Sequence, residues 1–162
     1  MKQLWSPWRM KYILSHKNYK GCIFCKALEQ ENHDKDNLIV YRGQFAFVIL
    51  NLYPYSSGHL MVVPNAHLPR LDLLESQARI ELIELMSRAE HVLRQVYNPD
   101  GLNIGANVGA AAGAGVEGHL HFHLVPRWAG DSNFMSVVGH VRVLPEELWQ
   151  THQKLHEAWN KP

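Results

Sequence analysis

The 162-residue chain is poor in cysteine: it has two, Cys22 and Cys25, too few for a scaffold held by several disulfides. It also lacks an excess of charge, since 16 Lys and Arg stand against 15 Asp and Glu. That balance excludes a broad nucleic-acid or membrane surface held by charge, but not a small local phosphate site. No apolar run is as long as a transmembrane helix, and the opening MKQLWSPWRMKYIL has no apolar stretch of signal-peptide length. A cytoplasmic protein is therefore expected. Repeats, low-complexity tracts and linkers are absent as well, which predicts a single domain over residues 1–162. The hydrophobic share, 46%, is ordinary, and the length suffices to bury one core. Histidine is the residue in surplus, with eleven copies that need an explanation.

Two strands are expected over 38–41 and 45–50, rich in β-branched and aromatic residues on either side of Arg42-Gly43. The segment 51–58, Asn-Leu-Tyr-Pro-Tyr-Ser-Ser-Gly, reads as a turn-rich loop, and 59–63 as a buried strand stopped by Pro64. Over 76–97, Leu82, Leu85, Ala89, Val92, Leu93 and Val96 form an apolar stripe of helical period. Glu84 with Arg88 and Glu90 with Arg94 are favourable i, i+4 pairs on the wet side. Asn98-Pro-Asp-Gly101 ends that helix. A strand over 102–108, a small-residue loop over 109–118 and a last strand over 119–125 follow. Sheet segments around one long helix, without regular βαβ alternation, indicate an α+β fold.

The last strand carries His119, His121 and His123 in alternation, so the three share one face while Leu120, Phe122 and Leu124 point into a core. Neighbouring imidazoles on such a face stand roughly 7 Å apart, close enough for two to reach one phosphate. Surface filling explains three alternating titratable residues poorly. A metal site and a phosphate site both fit the strand alone, and Glu117 has the chemistry to join a metal. The run Asn107-Val-Gly-Ala-Ala-Ala-Gly-Ala-Gly115 favours phosphate. Glycines such as Gly113 and Gly115 let backbone N–H groups approach an anion, and Arg127 adds a fixed positive charge. Cys22-x-x-Cys25 is half of a tetrahedral metal site, and equally a redox pair or two small buried side chains.

His119-Leu-His-Phe-His-Leu-Val125, continued by Pro126-Arg127, resembles the histidine triad superfamily at every motif position. Asn51, eight residues before His59, is similar to the family's ribose-binding residue upstream of its fourth histidine. Asn107 falls where the family has a phosphate-contacting asparagine. Leu4–Tyr12, the cysteine pair and Pro126–Phe134 look like the bacterial diadenosine tetraphosphate phosphorylase branch. The resemblance covers about 22–128 as a core, with both terminal extensions packing on it or across a dimer. It implies an antiparallel sheet with one long helix and a C-terminal helical extension.

The resemblance also implies cleavage of a dinucleoside polyphosphate at the α-phosphorus. His121 would form a nucleotidyl-histidine, with His123 at the phosphate and His59 in support. Asn51, Asn107, Gly113, Gly115, Arg127 and Trp128 would bind the nucleotide. Phosphate or water would be the acceptor, with no metal at the phosphorus. A purine nucleoside phosphoramidate hydrolase and a nucleotide-binding protein with little turnover are the alternatives. One structural zinc per chain, held by Cys22, Cys25, His67 and His119, and a homodimer are implied too. Many members have Gln and then Ser or Thr where this chain has Gly115 and Val116, which makes backbone amides the expected contacts here. His16, His33, His91, His140, His152 and His156 read as solvated or capping residues. Trp5, Trp8, Trp149 and Trp159 read as packing.

Overall fold

The computed structural model describes residues 21–131 and 146–161. The 4–12 motif, residues 132–134 of the second motif, Trp5, Trp8, His16 and His140 lie outside these. In chain order the elements are α1 (Ile23–Glu29), β1 (Ile39–Arg42), β2 (Ala46–Leu50), β3 (Leu60–Pro64), α2 (Ser76–Tyr97), β4 (Gly101–Ala106), β5 (Phe122–Arg127) and α3 (Leu148–Trp159). Short 3₁₀ turns occupy Leu71–Leu73 and Ala110–Ala112. The five strands lie in the order β1-β2-β3-β5-β4, antiparallel at every pairing. The expected α+β architecture is present: an antiparallel sheet, one long helix and a C-terminal helix. No described helix is long and apolar enough to cross a membrane.

Strand alternation sorts the sheet into two faces. Val48, Leu50, Leu60 and Val62 meet Leu82, Leu85, Ala89, Val92 and Leu93 of α2, and Leu155 and Trp159 of α3 complete that core. The other face offers Phe47, Ile49, Met61 and Val63 to Phe24 and Ala27 of α1. Both faces of β2 and β3 are thus covered, which explains their unbroken apolar runs. The bonding register pairs Met61 with His123. His123 therefore joins the sheet beside Met61, whose side chain packs on the α1 side.

Helix α2 has the bounds its stripe predicts. Asn98 adopts a left-handed conformation (φ 43°) and donates its N–H to the Arg94 carbonyl, and Pro99 follows. The Glu90–Arg94 pair forms at 2.8 Å. Arg88 does not pair with Glu84. Its guanidinium donates to the Trp159 carbonyl at 2.7 Å and stacks 4.9 Å from the Trp159 ring, tying α3 to α2. Helix α3 packs on its own chain, with a capping box between Glu147 and Gln150 at its start. His152 is buried, not solvated, because its Nε2 donates to the Ile39 carbonyl of β1 at 2.8 Å. His33 and His91 are exposed as expected, and exposed His156 still reaches the Val40 carbonyl. Trp159 is buried, whereas Trp149 is exposed.

The last strand starts at Phe122, three residues later than expected. The Leu120 N–H goes to the Leu68 carbonyl at 2.7 Å, and the His119 carbonyl is taken by the His121 ring. The Leu120 N–H and the His119 carbonyl are thus engaged outside the sheet. Gly58, just before His59, has φ +78°, and a Cβ there would lie 2.9 Å from the Tyr97 ring and 3.1 Å from Leu93. Gly58→Ala is expected to cost roughly 1–3 kcal/mol through strain and this clash. A denaturant midpoint unchanged from the wild type would contradict it.

Candidate active site

Four imidazoles gather where β5 leaves the loop. His59 and His119 have no accessible surface and His121 keeps 5%. His121 and His123 stand with ring centroids 5.0 Å apart, edge to face, closer than an ideal strand would place them. His123 and His59 are joined by a 2.9 Å Nδ1–Nε2 hydrogen bond. Tyr55 lies over His59 at 4.7 Å. Burial depresses the basicity of His121, and burial together with the neighbouring His121 lowers His123 to about 4. Both rings are therefore neutral at pH 7.

A carbonyl only accepts, so its partner ring nitrogen must carry the proton. The His119 carbonyl lies 2.8 Å from His121 Nδ1, which makes Nδ1 the N–H and leaves the Nε2 lone pair free. The Pro64 carbonyl lies 2.8 Å from His119 Nε2, so the His119 lone pair is on Nδ1. That atom faces sulfur: Cys22 Sγ at 3.3 Å and Cys25 Sγ at 3.6 Å. His67 Nδ1 lies 3.3 Å from Cys25 Sγ. The four ligand atoms all fall within 4.8 Å of one another. Tetrahedral zinc with thiolate and imidazole donors has ligand–ligand edges of roughly 3.3–3.8 Å, so this donor set fits a metal ion. Burial and the adjoining Cys22 push the Cys25 thiol up to about 11, a cost that a bound cation reverses.

His121 and His123 open into a cavity of about 370 Å³, within the range of small-ligand sites. Its walls come from α1 through Ile23, Phe24 and Ala27, from the sheet through Ile49 and Met61, and from the loop after β2 through Asn51, Tyr53 and Tyr55. Asn107, Gly113, Gly115 and Val116 line it on the side of the small-residue loop. Asn51, Asn107, Gly113, Gly115, His121 and His123 are thus brought together. His59 stands behind His123.

Arg127 and Trp128 do not reach the cavity. The Arg127 guanidinium is taken by Asp131 at 2.6 and 2.9 Å and by Asn103 at 2.9 Å, and the Trp128 N–H also turns to Asp131. Phe24 and Tyr55 belong to the site although the sequence did not single them out. Phe24 sits between the two cysteines and touches the rings of both His119 and His121, at 5.4 and 5.2 Å. Its place inside Cys-x-x-Cys was the available signal.

An antiparallel sheet, a buried histidine cluster fed by a carbonyl, and a cavity between short helix and loop together define a histidine triad protein. The HIT domain model matches residues 32–130, and the chain belongs to this family and is an enzyme of it. It is 36% identical over 98% of its length to AP-4-A phosphorylase of Mycobacterium tuberculosis, spanning 85% of that protein. It is 31% identical over 57% of its length to a bis(5'-nucleosyl)-tetraphosphatase of Schizosaccharomyces pombe, spanning 50% of it. The fold superposes on a zinc-bound histidine triad family protein of Mycobacterium smegmatis with a TM-score of 0.68 and 26% identity, covering 86% of this chain and 93% of that one.

Acidification has a directional effect on stability. His123 in the unfolded chain binds a proton near its ordinary value of 6.5, but in the folded protein only at about 4. The unfolded state therefore binds more protons between these values, and stability falls as the pH drops from 6.5 towards 4. The loss is at most ~3 kcal/mol. Urea midpoints across this range should fall less steeply in His123→Asn than in the wild type. Parallel slopes would show that His123 does not contribute.

Proposed function

We propose that the chain is a dinucleoside polyphosphate phosphorylase that cleaves a diadenosine tetraphosphate-like substrate at its α-phosphorus through a covalent nucleotidyl-His121. The observation that carries this is the 2.8 Å contact between His121 Nδ1 and the His119 carbonyl inside the cavity. It leaves Nε2 as the bare nucleophile and supports the ring as it gains positive charge. The Nε2 lone pair forms a bond to the α-phosphorus, the bridging P–O bond breaks, and ATP leaves. An oxygen of inorganic phosphate then displaces His121 to give ADP. Asn51 faces the ribose. The backbone around Gly113 and Gly115, with Asn107, faces the phosphates, and His123 faces a phosphoryl oxygen.

Near full-length similarity to an AP-4-A phosphorylase supports phosphate as acceptor. The tetraphosphatase relative supports water as the second reading. Zinc in the Cys22, Cys25, His67 and His119 site is read as structural, one per chain. It would keep both sulfurs as thiolates and pin α1 to β5, while the phosphorus chemistry runs on histidine. A homodimer of single-domain subunits in the cytoplasm completes the reading.

The protein is incubated with diadenosine tetraphosphate, with and without phosphate, and the nucleotides are separated. ADP plus ATP formed only with phosphate supports the phosphorylase. AMP plus ATP without phosphate selects the hydrolase, and the appearance of neither pair would overturn the polyphosphate reading.

A further inference from the structure

We propose that the main-chain amide of Tyr55 sets the proton arrangement of the His59–His123 pair, so that neutral His123 presents an Nε2–H to the cavity. The catalytic meaning rests on the function proposed above, but the proton arrangement follows from geometry alone.

The Tyr55 N–H points at His59 Nδ1 from 3.1 Å. An amide N–H only donates, so that ring nitrogen is bare, which excludes both the Nδ1–H tautomer and the imidazolium of His59. The one remaining proton sits on His59 Nε2, and it faces His123 Nδ1 at 2.9 Å. His123 Nδ1 must then accept, and the proton of the neutral His123 ring is on Nε2. The reverse bond, from His123 to His59, would force a proton onto His59 Nδ1 against the Tyr55 N–H. The side-chain amide of Asn51 does not disturb this. Its oxygen accepts from the Tyr53 N–H at 2.9 Å, and its nitrogen is a distant 3.5 Å from His59 Nε2.

The Tyr55 ring adds shelter, lying over His59 at 4.7 Å and nearly parallel to His123 at 6.2 Å. Burial, which holds His123 to about 4, agrees with a ring that works uncharged. The two cavity histidines thus face the phosphate as opposites. His121 offers a lone pair because a carbonyl holds its Nδ1–H. His123 offers a hydrogen-bond donor because an amide, two bonds away, has claimed the other end of the pair. A donor there suits a phosphoryl oxygen that gains charge, and costs no cation in a dry site. Tyr55 and His59 are positioning residues in this scheme.

Histidine-selective ¹⁵N labelling with long-range ¹H–¹⁵N correlation reads each tautomer directly. In the wild type we expect His59 and His123 as single Nε2–H forms and His121 as Nδ1–H. His59→Gln keeps an N–H donor and should hold His123 in place, and Tyr55→Ala keeps the amide and should do the same. His59→Leu removes the donor, so His123 should average between tautomers. Its kcat should fall at least ~10-fold with KM within ~3-fold, and His59→Gln should recover most of it. A wild-type His123 found as Nδ1–H, or already averaging, overturns the proposal whether or not any variant folds. So does a His59→Leu protein with an unchanged His123 spectrum. Failure to cleave diadenosine tetraphosphate would remove the function proposed above and leave the tautomer assignment to be read on its own.

Discussion

His121→Ala is expected to lose at least ~10³-fold in turnover of diadenosine tetraphosphate while still binding AMP, because removing a nucleophile removes the reaction path and not the pocket. The cavity walls contributed by Phe24, Ile49, Met61 and Asn51 are untouched by that change. Burial of His121 is nearly complete, so truncation leaves a hole the size of an imidazole. His123→Ala should cost less, about 10²-fold, since it removes a stabilising contact and leaves the bond-forming atom. The wild type, denatured during turnover with labelled substrate and little phosphate, should retain one nucleotide per chain, and His121→Ala none. Residual activity above about a tenth of the wild type in His121→Ala would sink the covalent mechanism.

Removal of the metal should be the largest single loss of stability. A ligand present at a thousand times its dissociation constant stabilises the folded state by about 4 kcal/mol, which for a chain of this size is roughly 8–16 °C in Tm. The expectation is strengthened by what the site joins: α1 through Cys22 and Cys25, the loop after β3 through His67, and the approach to β5 through His119. Cys22→Ser should lose stoichiometric zinc by elemental analysis together with that share of Tm, and excess chelator on the wild type should reproduce the shift. A Cys22→Ser protein that keeps its zinc would disprove the four-residue ligand set. One that loses zinc but melts where the wild type does would show that the metal is not structural.

Much of this was legible in the sequence because it is periodic. The stripe from Leu82 to Val96 and the Asn98-Pro99 stop define α2 to the residue. The alternation of histidine and apolar residues marks the core side, taken by Leu120 and Leu124, and the side on which His121 and His123 face the cavity. Residues fixed by long-range partners were harder to read. Arg127 reads as a phosphate ligand from its place after the triad, and the sequence does not reveal that its guanidinium bonds Asp131 and Asn103. His152 reads as a surface residue, but a carbonyl of β1, 113 positions away, holds it. The delayed start of β5 has the same origin, since it depends on where Leu68 and the His121 ring lie. Patterns report which face a residue takes. They do not report which neighbour wins a hydrogen bond.

The strand order carries a consequence for how the chain is made. β4 is synthesised before β5, yet among the described strands its partner in the sheet is β5, which inserts between it and β3. Until residue 127 has left the ribosome, β3 and β4 both lack the described strand that pairs with them in the finished sheet, and an unpaired edge is a template for wrong pairing. The insertion that closes this edge also delivers His121 and His123. Closure of the β3 edge and delivery of His121 and His123 to the cavity thus depend on the same late-synthesised segment.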